Sequence, residues 1–144
     1  YQKLLAVSVA VARRIRTIDG RKLKMGVEDR ESKIENENPS SNFNPQNTIF
    51  YRRSSIVEVA LELPVKIARA HSVRFSDKTR AIAILEDVML GINILIVYLE
   101  QYRDIENKDI EIEFFEEQIS SLSTCRWKVM HLARSWEKFS QTQE

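Results

Sequence analysis

Along most of this chain apolar residues recur at three- and four-residue steps, the period of a helix that buries one face. Leu4, Leu5, Val7, Val9, Val11, Ile15 and Ile18 mark a first helix over residues 1 to 18, with Asp19-Gly20 as its stop. Ile56, Val59, Ala60, Leu63 and Ile67 mark a second, from about Ile49 to Ala70. Pro64 lies inside it. Proline lacks the amide hydrogen and crowds the preceding turn, so a kink is expected near Ala60 to Leu63. Ser76 is the expected N-cap of a third helix, with Asp77 in the first turn and an end near Tyr102. Between Ala81 and Leu99 the strongly polar residues are Glu86, Asp87 and Asn93, so this helix is expected to be the central, buried one. Phe115, Ile119, Leu122, Val129, Ala133 and Trp136 mark a fourth over about Asp109 to Ser140, with Arg126 in one slot of the stripe.

The connections decide the architecture. From Glu28 to Asn47 the chain is polar and rich in Asn, with Pro39 and Pro45. That run is too long for an ordinary bundle connection and reads as a poorly ordered excursion, not a second domain. The link at Asp104 to Lys108 is short, which makes helices three and four antiparallel neighbours. The prediction is an all-α, up-down-up-down four-helix bundle, a single domain over 1–144, with a long polar excursion between helices one and two.

Composition agrees. At 144 residues with 43% hydrophobic and 30% charged, the chain suits a soluble globular domain, and three Gly with three Pro leave little for an all-β fold. A membrane-spanning third helix is the rival reading. The uninterrupted apolar part is short for a span, and Glu86-Asp87 sits inside it. Cys125 is the sole cysteine and suits a reducing compartment. Leu4 to Ala12 is followed at once by Arg13, Arg14 and Arg16, so no signal peptide is predicted and the expected location is cytoplasmic.

Candidate chemistry is sparse. Gly20, Gly26 and Gly91 are isolated, and neither His71 nor His131 follows a Glu at the spacing of a bundle di-metal site, so no metal or cofactor is expected. Glu86 and Asp87 are neighbours, about 100° apart on a helix, and do not form a catalytic carboxylate pair. One or both are expected at the surface or against an arginine.

Charge is more informative than chemistry. The net charge is +1, yet residues 1 to 26 hold seven cations against Asp19, and residues 104 to 117 hold seven acids against Lys108. The two runs either neutralise each other between neighbouring helices or leave a basic patch that attracts phosphates. The candidate nucleic-acid contacts are Arg13, Arg14 and Arg16, then Arg52 and Arg53 beside Tyr51, then Lys66, Arg69, Arg74, Lys78 and Arg80 around the turn between helices two and three. Arg126 and His131 form an R-x4-H spacing that resembles the motif of the HEPN-family ribonucleases, themselves helical bundles. This is the enzymatic alternative. Against it stands an ion-paired Arg126 and a surface His131. A scaffold that binds protein through the acidic 104 to 117 region is a third reading.

Arg52-Arg53-Ser54-Ser55, then Pro64-Val65-Lys66-Ile67-Ala68, then Arg74-Phe75-Ser76, then Gly91 follow one another in an order that resembles the four helix bundle protein family. That family includes proteins encoded in 23S rRNA intervening sequences and the Avd accessory proteins of diversity-generating retroelements. Lys66 stands where the family usually has Asn. The resemblance implies a non-enzymatic homo-oligomer, of pentameric form, with a basic surface. In the Avd branch it implies an accessory protein that binds a reverse transcriptase and its RNA.

Overall fold

The computed structural model describes the backbone of residues 2–26 and 45–141 and the side chains of residues 2–18 and 52–139. The polar excursion expected over 28–47 lies mostly outside these residues. Four α-helices are present: α1 (Gln2–Gly26), α2 (Pro45–Val73), α3 (Lys78–Gln101) and α4 (Ile112–Gln141). A single π turn over Tyr102–Glu106 follows α3 directly. Helix α1 packs on α2, α2 on α3, α3 on α4 and α4 back on α1, which closes an up-down-up-down bundle.

Three helix ends differ from the expectation. Helix α1 runs through Asp19-Gly20. A mid-helix glycine costs only about 1 kcal/mol, and the residues after it are mostly good helix formers. Helix α2 starts earlier, at Pro45, since proline suits the first helical position, where its missing N–H is not needed. As expected, Pro64 lies inside α2, where it is buried. The N-cap of α3 is Asp77, not Ser76: the Asp77 carboxylate accepts from the Arg80 amide at 2.9 Å. Ser76 instead closes α2, its hydroxyl donating to the Val73 carbonyl at 3.1 Å.

The core is drawn evenly from the four helices. Leu4, Val11 and Ile15 of α1, Ile56, Leu63 and Ile67 of α2, Leu85, Ile92, Leu95 and Leu99 of α3, and Phe115, Leu122 and Val129 of α4 belong to one buried cluster. Tyr102 and Phe115, with ring centroids 5.9 Å apart, seal one end. Each fully buried Leu, Ile or Phe contributes about 1.5–3 kcal/mol. An exposed ion pair contributes roughly 0–1 kcal/mol, so packing and not charge holds the bundle. Helices α2 and α3 approach closely at Gly91, where a Cβ would stand 2.7 Å from Leu63 Cδ2. Glycine at this position lets Leu63 lie against the α3 backbone.

Helix α3 is not central. Ala81, Leu85, Val88, Ile92, Leu95 and Leu99 face the core, but Leu90, Ile94 and Val97 face outward at 55%, 37% and 47% exposure. An almost wholly apolar composition conceals which side of a helix is covered, and here one side is open. The helical run Lys78–Glu106 is long and apolar enough to cross a membrane by length and composition. One face of it is nonetheless packed into this bundle.

Ser8 is fully buried on α1, and its hydroxyl has no partner among the described residues. Ser8→Ala removes a desolvated hydroxyl and adds a better helix former. It is expected to stabilise the fold by about 1 kcal/mol, read as a higher midpoint in chemical denaturation. A lower midpoint would show that the hydroxyl is satisfied in solution.

Candidate nucleic-acid interface

The two ends of the bundle gather different groups. One gathers the end of α3, the π turn and the start of α4, and with them Asp104, Glu106, Asp109, Glu111, Glu113, Glu116 and Glu117. The other gathers the end of α2, the turn after it, the start of α3, the end of α4 and the start of α1.

At the acidic end the candidate arginines are occupied. Arg14 reaches Glu111 at 2.7 Å. The Glu111 carboxyl is held below its ordinary value, first by its own backbone amide and then by Arg14. Arg52 stands 3.2 Å from Glu106, whose side chain is only 6% exposed. Arg53 is 4% exposed, with its guanidinium 5.7 Å from the centre of the Tyr102 ring. Burial raises the Tyr102 phenol pKa, and the nearby Arg53 opposes that shift. All three arginines are thus engaged by groups of this bundle end. Arg13 and Arg16 remain on the α1 surface, where they line a cleft of about 440 Å3 with Val9, Ala12, Thr17 and Leu61.

Lys66 sits on the flank between α2 and α3. Its ammonium lies 2.7 Å from Asp87 and 3.7 Å from Glu62. The hydrogen bond to Asp87 raises its pKa. Glu86 and Asp87 are both exposed, as expected, and the partner of Asp87 is Lys66 and not an arginine.

The basic end is built by the reversal between α2 and α3. The Val73 carbonyl accepts from the Asp77 amide at 2.8 Å and the Ser76 amide at 3.1 Å. This tight turn sets Arg69, Arg74, Lys78 and Arg80 around one tip. Arg74 lies 4.3 Å from the centre of the Phe75 ring and 5.5 Å from that of Trp136. Phe75 is 86% exposed. His71 meets Trp136 edge to face at 5.2 Å, which brings the end of α4 to the same tip. Burial and then the Arg74 charge push the His71 pKa below its ordinary value, so His71 adds no cation at neutral pH.

Helix α4 adds what charge counted by stretches of chain misses. Arg134 and Lys138 line a cleft of about 540 Å3 with His131, Ser135 and Phe139. Lys3 and Lys128 line another of about 390 Å3 beside His71 and Cys125. The signal was present in the predicted antiparallel pairing of helices three and four, which already puts the end of α4 at the α2–α3 turn.

Two of these cations oppose their own helix. Lys78 and Arg80 occupy the first turn of α3, where the positive end of the helix dipole disfavours cations, and that turn holds no acid. Asp77 compensates from the cap position alone. Lys138, in the last turn of α4, has a local electrostatic reason to be there; Lys78 and Arg80 do not.

Arg126 and His131 are five residues apart on one continuous helix, about 140° around its axis. Arg126 is half-buried, with a buried Nε that has no partner among the described residues. His131 is exposed and packs on Trp127, ring centroids 3.9 Å apart. Among the described residues no cluster of His, Cys, Asp and Glu is arranged to hold a metal ion.

Arg52→Ala leaves the shielded Glu106 carboxylate without its countercharge and is expected to destabilise the fold by about 1–3 kcal/mol. In a Glu106→Gln background the same substitution should cost much less. Equal costs in the two backgrounds, measured by denaturant unfolding, would show that the pair carries none of the effect.

Compared with known proteins, the chain matches no family model, no curated protein and no solved structure.

Proposed function

We propose that this protein is a non-enzymatic, self-associating helical-bundle accessory that binds the phosphate backbone of RNA through its basic end. The observation that carries this reading is the placing of Arg69, Arg74, Lys78 and Arg80 around the turn between α2 and α3, two of them set against the α3 dipole. A phosphate seated there would relieve that unfavourable placement and meet the α3 N-terminus as well. The exposed Phe75 ring beside Arg74 suits a partner that offers flat bases along with charge. Arg13 and Arg16 form a lesser, separate patch. Arg14, Arg52, Arg53 and Lys66 act structurally. The sequence resemblance supports a reverse transcriptase as the protein that shares this RNA.

Self-association belongs to the same reading. Leu90, Ile94 and Val97 stand at four- and three-residue steps along the open face of α3, a stripe suited to a second copy of the chain. A membrane is a poorer match, because Glu86 and Asp87 lie on or beside that face.

Binding to single-stranded RNA is expected to weaken with salt, with log K falling against log salt at a slope of about −3 for four phosphate contacts. Lys78→Glu with Arg80→Glu should lower affinity at least about tenfold and flatten the slope. Fluorescence anisotropy of a labelled RNA across a salt series measures both. A flat salt response, or an unchanged double variant, would refute the assignment.

Leu90→Lys with Val97→Lys is expected to reduce the assembly to a monomer with unaltered helix content. Light scattering after size exclusion checks this. A wild-type chain that runs as a monomer at high concentration would remove self-association from the proposal.

A further inference from the structure

We infer that Trp127 is a base-stacking platform, and that single-stranded RNA held at the basic tip continues along the outer face of α4. This rests on the nucleic-acid reading above and extends it to a surface that charge alone does not mark. Trp127 is 57% exposed, although large aromatic side chains are usually much more buried than this. The other tryptophan, Trp136, is only 7% exposed in the same helix. His131 lies one turn further along and packs on the indole at 3.9 Å. That contact restricts the indole to one orientation, which lowers the ordering cost of adding a second ring to its surface.

The surroundings select the occupant. Residues seven and eleven positions after Trp127 share its side of the helix, and these are Arg134 and Lys138. They line the cleft that starts at His131 and ends at Phe139, itself 71% exposed. Two exposed rings, Trp127 and Phe139, thus stand about 18 Å apart along α4 with cations between them. From Cys125 to Lys138 the only acid is Glu137. An apolar protein helix would gain nothing from those charges. A strand of bases joined by phosphates matches both: rings stack on rings, and phosphates meet Arg134 and Lys138. The arrangement also explains His131 as a support for the indole, without any role in cleavage.

The test uses the full chain with two fluorescein-labelled probes, an oligoadenylate and an abasic oligomer of equal length. Trp127→Ala is expected to weaken oligoadenylate binding about 5- to 100-fold, the range for loss of one stacked base, and to leave abasic binding and the salt slope unchanged. Trp127→Phe, which keeps a ring, should retain most of the affinity. In the wild type, tryptophan emission should be quenched by oligoadenylate and not by the abasic strand. That readout needs no variant. If Trp127→Ala binds oligoadenylate as the wild type does while Lys78→Glu with Arg80→Glu weakens both probes, the stacking platform is wrong and the phosphate-binding tip stands. Equal losses on both probes, or no quenching, also overturn the platform. Wild-type protein that binds neither probe overturns the platform and the tip together.

Discussion

The carbonyl oxygen of Val73 receives the Asp77 amide, the Ser76 amide and the Ser76 hydroxyl, and in doing so turns the chain back on itself within four residues. A carbonyl at a helix C-terminus has no partner in its own helix, so a turn that satisfies it with three donors is a firm stop. The same turn hands Asp77 to the next helix as its cap. With the reversal this short, α2 and α3 must pack side by side along their lengths, and Gly91 under Leu63 shows how closely they do. The cations flanking the turn are then crowded at one tip whatever the rest of the bundle does.

The helices were legible because a 3.6-residue period survives in sequence without knowledge of any partner. The fates of the arginines were not. Arg14 and Glu111 are 97 residues apart, and nothing local in the chain announces their meeting. Arg52 and Arg53 look in sequence like an exposed basic pair opening a helix; one anchors a shielded glutamate and the other slides beneath a tyrosine. Periodicity also failed for α3, since a helix apolar on every side gives no direction to its own burial. The turn showed a related ambiguity. Ser76 and Asp77 are both good caps, and geometry alone divided the work so that one ends a helix and the other begins the next.

Charge in this molecule is therefore sorted by pairing and not by stretch of chain. The acids that follow α3 are met by Arg14 from α1 and Arg52 from α2. Among the described residues Arg69, Arg74, Lys78 and Arg80, around the opposite turn, have no side-chain ion pair. A net charge of +1 thus says little about where unpaired cations stand.

Arg74 rests on two rings at once, one almost fully in solvent and one in the core. Surface tips of helical bundles are usually mechanically separate from the packing below them. Here a guanidinium bridges the two, and Trp136 in turn meets His71 near the end of α2. The exposed tip and the buried end of α4 are thereby one continuous piece of the molecule.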